Sequence, residues 1–428
     1  MIDSYKHITT IVGAGAVLDF NYNYPNAIVP STKNITDSII KLKIQSLDNN
    51  QSDVIGTIYN LAVNALSSTY QLPELRKDFD LNFEELYFII ESMLSFPNKG
   101  TEHYSPYGLS PLFALLKEKE ELTSYYDIEY IRALYAIVHK IFDIINIYDS
   151  YFYSNPQNEL WYRRFWQGKE NIKYDIFTFN YDTTIEQSII DYEDGFEVIK
   201  GNAEGISVFN PHKLLDNIKQ FSTIQHLHGC IYYSPCSPIE CVQTHNRNDL
   251  FKVKSVQESL KCLGLHNIEQ TQAREYFINS PILIGLKKLD KMTYLPSSIY
   301  HAELVNKLMK NNGLLIIGYS FNDLYVNQLL QRRVLMRGIE HRMVIIDSFP
   351  RYINSIQSLY RYLSDNKGRM LQFLTPFFNI RIENFTIKGI NFTSYTDPIY
   401  NEDHKCILFI CGLKKAVELH SELIFNFL

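Results

Sequence analysis

The feature that most constrains the fold is a strand-like pattern that ends, three times, in small or polar residues. The three segments are "HITTIVGAG" (7–15), "YDIFTFNYD" (174–182) and "GLLIIGYSFND" (313–323). Each contains a short apolar run rich in β-branched residues, which is typical of strands buried on both faces of a parallel sheet. Helix-length intervals separate them, so we predict an α/β fold with a doubly wound, mainly parallel, Rossmann-like sheet.

The intervals between these strands predict the organisation of the chain. Residues from about 31 to 170 show the 3.6-residue period of amphipathic helices, as in "NFEELYFIIESMLSF" (82–96). We interpret this stretch as a large helical insertion after the first strand of a domain that spans residues 1–350. Residues 351–428 carry strand-like alternation, and we expect them to complete the sheet or to mediate assembly.

Charge, cysteine content and hydropathy exclude several classes of protein. The chain has 41 basic and 47 acidic residues and a net charge of −6, so direct nucleic-acid binding is not expected. Its 6 cysteines form no C-x-x-C pair, which favours a reducing cytoplasm over a disulfide framework. Two glycines interrupt the apolar stretch from Ile8 to Val17, so we do not expect a signal peptide. No apolar run reaches the roughly 18 residues of a membrane span.

The first candidate site lies where the first strand ends. Gly13 and Gly15, with Ala14 between them, permit a tight bend that brings backbone N–H groups and a helix dipole onto a phosphate. Leu18 stands where the dinucleotide fingerprint has its third glycine. A plain strand–helix turn is therefore the alternative interpretation.

The second candidate site is the end of the strand in "FTFNYD". Thr178, Asn180 and Asp182 alternate there and therefore point to one face. Asp182 has an alternative role as the cap of a following helix. Asn180 lies too far inside the strand for a cap, and a buried amide needs partners, which a bound ligand can supply.

The third candidate is "HLHG", in which His226 and His228 share a face if the segment is extended. Gly229 interrupts the strand directly after His228 and so places that imidazole near the strand end. Histidine is the side chain best suited to accept a proton near neutral pH. We predict a role in chemistry for His228 and a core position for His226.

The fourth candidate is "GYSFND". Gly318 and Ser320 can receive the other half of a dinucleotide, and Asp347, at the end of "VIID", can accept hydrogen bonds from ribose hydroxyls. Asn322 and Asp323 are candidates for the same site. Both can instead cap the next helix, and the two roles are compatible.

These four motifs, in this order and across most of residues 8–350, resemble those of the SIR2-like (sirtuin) family. "GAG" is similar to its first NAD-binding motif, "TFNYD" to its Thr-x-Asn-x-Asp segment, "HG" to its catalytic histidine and "GYSFND" to its later NAD loop. The forms "TFNYD", "HLHG" and "GYSFND" look like those of bacterial SIR2-like effectors of antiphage defence.

This resemblance implies that residues 1–350 bind NAD+ as a consumed substrate and cleave it to nicotinamide and ADP-ribose. Asn180 would orient the ribose or the attacking water, His228 would be the general base, and Asp182 would lie near the nicotinamide carboxamide. The resemblance further implies NAD depletion as a defence, a homo-oligomer and a HerA-type hexameric ATPase as partner.

Departures from the deacetylases of the family keep alternatives open. Those enzymes carry a glutamine where this chain has Phe179, and a serine after the glycine turn where it has Ala16 and Val17. They also hold zinc in two C-x-x-C pairs, so we expect no metal here. An irregular zinc site remains the alternative, formed from Cys230, Cys236, Cys241, Cys262 and His245. A protein deacylase and a non-catalytic sensor of NAD or ADP-ribose are the alternative functions.

Overall fold

The structure is a computed structural model that describes most of the chain. The described residues are 5–20, 29–46, 50–69, 81–95, 127–169, 171–198, 206–216, 220–235, 249–261, 268–270, 276–278, 280–285, 292–337, 342–375, 380–381, 386–387, 392–401 and 406–428.

Strands and helices alternate along these residues. The strands are β1 (Lys6–Val12), β2 (Ile44–Gln45), β3 (Gln51–Ser52), β4 (Ile172–Thr178), β5 (Tyr192–Glu193), β6 (Phe196–Val198), β7 (Ser207–Phe209), β8 (Ser222–His226), β9 (Tyr233–Ser234), β10 (Phe251–Lys252), β11 (Ile268–Gln270), β12 (Tyr276–Ile278), β13 (Gly313–Ile317), β14 (Arg342–Ile346), β15 (Ile380–Arg381), β16 (Thr386–Ile387), β17 (Ile399–Asn401) and β18 (Cys406–Phe409). The helices are α1 (Thr32–Ile39), α2 (Val54–Thr69), α3 (Phe83–Ser95), α4 (Asp127–Ser154), α5 (Leu160–Gln167), α6 (Pro211–Asp216), α7 (Val256–Lys261), α8 (Ser297–Lys310), α9 (Leu324–Arg337), α10 (Ile356–Asn366), α11 (Gly368–Leu374) and α12 (Leu413–Phe427).

Eight strands form the central sheet in the order β17-β18-β14-β13-β1-β4-β8-β5. Neighbouring strands are parallel except for β17 and β18. From β1 the chain passes to β4 and β8 on one side, and then to β13, β14 and β18 on the other. The predicted mainly parallel α/β sheet is therefore confirmed, and the reversal of strand order beside β1 creates the crevice in which such sheets bind ligands.

Alternating side chains of the central strands enter two separate cores. Ile11, Phe177 and Ile316 belong to one core, together with apolar residues of α1, α3, α8 and α9. Val12 and Ile317 point the other way and pack with residues of α5 and α12. Because successive strand residues face opposite sides of a sheet, this division places helices on both faces.

Among the described residues, five helices, α1 to α5, lie between β1 and β4. The longest, α4, contributes to both cores: Ile137 and Ile141 pack in the first, and Tyr148 and Phe152 in the second. Within the described residues, no helix is both long enough and apolar enough to cross a membrane.

The segment after residue 350 adds two strands to the central sheet. β18 pairs with β14 in parallel, and β17 pairs with β18 in the opposite direction. The alternating segment "NIRIENFTIKGINFTSY", by contrast, contains β15 and β16, which form a separate two-stranded sheet. The strand that joins the sheet is thus the short apolar "CILF" rather than the longer alternating stretch.

The amino-terminal half of the sheet encloses a buried polar cluster around Asp175 in β4. Its carboxylate accepts hydrogen bonds from Lys307 Nζ and Asn311 Nδ2, both at 2.8 Å, and lies 3.3 Å from His7 Nδ1. Burial alone raises the pKa of Asp175, but His7 and Lys307 outweigh it and hold that pKa below its usual range. This ion pair ties α8 to the sheet.

The start of α12 is attached to the turn that follows β1. The backbone N–H of Lys414 donates to Asp19 Oδ2 at 3.0 Å. Gly412 has a φ of +85°, and a Cβ there would lie 2.5 Å from the same carboxylate oxygen. Residues almost 400 positions apart in sequence therefore pack against each other at the edge of the crevice.

Candidate active site

The candidate site lies at the carboxyl ends of β1, β4, β8 and β13, where all four sequence motifs converge. Thr178 of β4 is in register with His226 of β8. Asn180 and His228 each follow their strand by two residues, so they leave the sheet at the same level on adjacent strands. Neighbouring strands lie about 4.8 Å apart, so both residues reach the same opening of the crevice.

The glycines after β1 and β13 pack backbone against backbone. A Cβ on Gly13 would lie 2.6 Å from the carbonyl oxygen of Gly318, and a Cβ on Gly15 would lie 2.6 Å from its Cα. The N–H groups of Gly13 and Gly15 donate to Ile317 O at 2.9 Å and Gly318 O at 3.0 Å. The two glycines thus meet a packing requirement, and their N–H groups are already bonded within the protein. Phosphate binding at this turn, of which Ala14 is the exposed residue, stays a prediction.

Asn180 is buried, with 8 % of its surface exposed. Its backbone N–H donates to Thr178 Oγ1 at 3.0 Å, and its backbone carbonyl accepts from His226 Nδ1 at 2.9 Å. Its side-chain Nδ2 has no hydrogen-bond partner among the described residues. Because an unpaired buried amide is costly, this donor is suited to a ligand that enters the crevice.

Asp182 is also buried, but its environment differs from that of Asn180. Its Oδ1 accepts from the backbone N–H of Thr184 at 3.1 Å and from the Thr184 hydroxyl at 2.6 Å. Burial raises the pKa of Asp182, and the two bonds from Thr184 oppose that shift. This geometry is that of the capping role that the sequence left open, although the chain continues in turns and not in a helix.

A second buried acid, Asp149 of α4, contacts Thr183, the residue after Asp182. Its carboxylate accepts from the backbone N–H of Thr183 at 2.7 Å, from the Thr183 hydroxyl, and from the Tyr232 hydroxyl at 3.3 Å. Burial and the nearby Asp182 carboxylate raise the pKa of Asp149 to about 7. No sequence motif marked Asp149, because only the fold brings α4 beneath this turn.

His228 is the histidine at the mouth of the crevice. Its Nε2 lies 3.4 Å from Asp323 Oδ2, in the turn after β13. Asp323 Oδ1 accepts from the backbone N–H of Val326 at 3.1 Å and so caps α9. Asp323 therefore combines the capping role, which the sequence left open, with a contact to the predicted base, and its contact with a cofactor stays a prediction.

An aromatic pair flanks this imidazole. Phe179 stacks on Tyr319, with ring centroids 5.0 Å apart and an interplanar angle of 18°. The Phe179 ring also contacts the His228 ring in a T-shaped arrangement. Their centroids are 4.7 Å apart and their planes are nearly perpendicular. In the sequence Phe179 was only a departure from the deacetylase motif, and Tyr319 was part of "GYSFND" without an assigned role. Phe179 and Tyr319 meet because β1 lies between β4 and β13 in the sheet. The motifs alone do not give this strand order.

The remaining predicted residues of the "GYSFND" turn are exposed. Ser320 and Asn322 both face solvent, and the backbone carbonyl of Asn322 accepts from Arg369 Nη1 at 2.8 Å. Gly318 adopts a φ of +57°. The turn thus presents the exposed side chains of Ser320 and Asn322 near the opening of the crevice. Contact of these side chains with a ligand stays a prediction.

Asp347 is at the end of β14, as predicted, but its carboxylate has protein partners. One oxygen accepts from the backbone N–H of Ser348 at 2.8 Å, and the other contacts Lys367 Nζ. Burial raises the pKa of Asp347, and the Lys367 ammonium opposes that shift. A ribose hydroxyl would have to share this carboxylate with Lys367.

Of the residues of the alternative zinc site, the structure describes Cys230. Cys236, Cys241, His245 and Cys262 lie outside the described residues. Cys230 is a buried free thiol in the core, and burial raises its pKa well above the usual range. In the part of the chain that the structure describes, no group of three or more His, Cys, Asp or Glu side chains is placed to hold a metal ion.

The chain is similar to one protein family over part of its length. No curated protein matches the chain. One solved structure, described as "Structural Basis for the Mechanism and Regulation of Sir2 Enzymes", aligns over 81 % of this chain and 82 % of its own, at 11 % identity and a TM-score of 0.26. The model of a family described as "SIR2-like domain" matches residues 175–367, which include Asn180, His228 and Asp323. Across those residues the chain is similar to the SIR2-like domain.

Proposed function

We propose that this protein is an NAD+ glycohydrolase, which converts NAD+ and water into nicotinamide, ADP-ribose and a proton. The SIR2-like match over residues 175–367 supports an NAD-dependent activity in general. The observation that carries the finer proposal is the unpartnered amide of buried Asn180, placed level with His228 at the crevice.

The bond between nicotinamide and ribose breaks with positive charge developing on the sugar. An enzyme for this reaction needs to position the substrate and to supply a base and a polar environment. Asn180 Nδ2 can donate to a ribose hydroxyl or to the attacking water, since no described protein acceptor occupies it. The neutral nicotinamide leaves with the electron pair of the broken bond.

His228 is suited to take the proton that the attacking water releases. The Asp323 carboxylate, 3.4 Å from His228 Nε2, would stabilise the imidazolium that results. His228 then returns the proton to solvent. The stacked Phe179 and Tyr319 rings beside the imidazole provide an apolar wall that fits the flat pyridine ring of nicotinamide.

The proposal is tested by incubating the purified protein with NAD+ and quantifying nicotinamide and ADP-ribose by chromatography. Asn180→Ala and His228→Ala are expected to lower the cleavage rate about 100-fold or more, because each removes a positioned catalytic group. His212→Ala, at an exposed histidine of α6, is the matched control and should cleave normally. Wild-type rates in both site variants would refute the site.

The same preparation separates the alternative functions. Turnover of an acyl-lysine peptide with NAD+ would favour a deacylase. Saturable binding of NAD+ or ADP-ribose with no release of nicotinamide would favour a sensor. Equal molar amounts of nicotinamide and ADP-ribose without any peptide are what the hydrolase proposal requires.

We also propose that the enzyme is a homo-oligomeric effector of antiphage defence that acts by depleting NAD and works with a HerA-type hexameric ATPase. The support is the resemblance of "TFNYD", "HLHG" and "GYSFND" to motifs of such effectors. Cellular NAD should fall after phage infection in cells that express the wild-type chain with the ATPase, but not the His228→Ala chain. A monomeric mass by light scattering at micromolar concentration would count against the oligomer.

A further inference from the structure

A buried ion pair lies directly behind Asn180. His226, the last residue of β8, has 2 % of its surface exposed. Its Nε2 lies 2.6 Å from Glu186 Oε1, and its Nδ1 lies 2.9 Å from the backbone carbonyl oxygen of Asn180. The ring thus bridges a carboxylate and the main chain of the residue that carries the unpartnered amide.

The partners of this ring fix its protonation. A carbonyl oxygen only accepts hydrogen bonds, so Nδ1 must carry a hydrogen, and Nε2 carries one as well when Glu186 is ionised. Burial alone lowers the pKa of His226, but the Glu186 carboxylate and the Asn180 carbonyl outweigh it and raise that pKa. In the same way, His226 overcomes the effect of burial and lowers the pKa of Glu186. Both shifts favour an imidazolium paired with a carboxylate, the charge state in which both ring nitrogens donate.

Charged and polar groups surround the pair on several sides. Its environment includes the edge of the Tyr233 ring, 6.0 Å from the imidazole, and the Lys252 ammonium, whose own partner is Asp194 Oδ2 at 2.5 Å. Lys252 lowers the pKa of both members of the pair. Asp182 also faces the pair, because Glu186 raises its pKa and His226 lowers it. The pair thus belongs to a preformed cluster of charged groups beside the site.

We propose that His226 and Glu186 are positioning residues that hold the Asn180 main chain and thereby aim its side-chain amide at the nicotinamide–ribose bond. This inference rests on the proposed function and adds two residues that act on the substrate only through Asn180. The Asn180 backbone has only two polar groups, and both are fixed: the N–H by Thr178 Oγ1 and the carbonyl by His226. Asn180 has already left β4, so the sheet ladder does not hold it.

The expected size of the effect follows from the geometry of catalysis. A displacement of about 1 Å in a catalytic group costs roughly 100-fold in rate. Loss of the bond from His226 releases the Asn180 carbonyl and permits such a displacement. Substrate affinity should change far less, because NAD+ contacts other parts of the crevice.

Two double variants isolate the bond to Asn180. In Glu186→Gln/His226→Asn, the asparagine amide nitrogen occupies the place of ring Nδ1 and can still donate to the Asn180 carbonyl. In Glu186→Gln/His226→Gln, the longer amide reaches toward residue 186 and leaves that carbonyl without a donor. Both variants remove the same charges from the core, so they differ mainly in this hydrogen bond.

The experiment measures kcat and KM for NAD+ cleavage, the melting temperature and ADP-ribose binding. The Glu186→Gln/His226→Gln variant should lose about 100-fold in kcat with little change in KM, whereas the Glu186→Gln/His226→Asn variant should keep most of the wild-type kcat. His7→Gln is the control, because His7 also pairs with a buried carboxylate but at the opposite end of the sheet. It should lower the melting temperature and leave kcat unchanged.

The outcomes separate this inference from the proposed function. Equal kcat values in two folded double variants, whether high or low, would overturn the positioning role and leave the hydrolase proposal standing. Failure of the wild-type protein to release nicotinamide would overturn the proposed function and, with it, the role of the pair. Retained kcat in the asparagine variant and loss in the glutamine variant would support both.

Discussion

The contact between the two glycine turns gives a sharp test of the architecture of the crevice. Gly318 has a φ of +57°, in the left-handed region that favours glycine. A Cβ at this position would lie 2.2 Å from the backbone nitrogen of Ala16 and 2.5 Å from the Cα of Gly15. Both are backbone atoms, so no side chain can rotate away. Gly318→Ala must therefore push the β1 and β13 turns apart.

The destabilisation can be summed from three parts. A non-glycine residue in the left-handed region costs about 1–2 kcal/mol. Separation of the turns weakens the hydrogen bond from Gly15 N–H to Gly318 O, now 3.0 Å long, which contributes about 1 kcal/mol. Overpacking of a dense site costs about 1–3 kcal/mol more. The free energy of unfolding should thus fall by roughly 3–6 kcal/mol.

Urea unfolding followed by circular dichroism measures this change. Gly368→Ala is the matched control, because a Cβ there meets nothing within 4 Å, and alanine in the first turn of α11 should be neutral or stabilise by about 0.4–1 kcal/mol. A Gly318→Ala protein within about 0.5 kcal/mol of wild type would refute the close contact between the turns, since surface changes away from special features stay in that range.

Three further predictions concern charged groups. Asp323→Asn keeps a helix cap but removes the carboxylate beside His228, so the NAD+ cleavage rate should fall roughly 10- to 100-fold, a part of what a general base contributes. Lys307→Met leaves the buried Asp175 carboxylate without its ammonium partner and should lower the free energy of unfolding by about 3 kcal/mol in urea titrations. The pKa of Asp149 is raised to about 7 in the fold, so its ionisation destabilises the protein, and stability should fall as pH rises from about 4 to 7. Asp149→Asn should flatten this dependence in thermal melts.

Each of these predictions has a control or an opposing result. Lys33→Met removes an exposed pair with Asp37 at 3.6 Å, and should change stability by less than about 0.5 kcal/mol. An equal effect at Lys307 would show that the buried pair does not tie α8 to the sheet. An unchanged cleavage rate in Asp323→Asn would remove that carboxylate from the mechanism, and an unchanged pH dependence in Asp149→Asn would assign the titration to another group.

The strand pattern was sufficient to predict the sheet but not its edges. The apolar runs at β1, β4 and β13 are long and flanked by glycine or polar residues, so their type and parallel packing followed from local sequence. β18 is only four residues long, and "CILF" has no period that separates a strand from a buried helix. Its place beside β14 is decided by tertiary contacts.

The convergence of the motifs was predictable, whereas the contacts of their side chains were not. Asn180 and His228 each follow a parallel strand, and such strands bring their carboxyl ends to one edge of the sheet. The contacts of Glu186, Asp149 and Phe179 depend on side chains that meet across elements far apart in sequence. No spacing rule encodes such contacts.

The attachment of Lys414 to Asp19 has a consequence for biosynthesis. The Asp19 carboxylate, in the turn after β1, is translated 395 residues before its partner, the backbone N–H of Lys414. A nascent chain can fold its early helices, but it must wait for α12 before this turn is secured. The β1 side of the crevice is therefore completed only after the sheet strands between β1 and α12 have been translated.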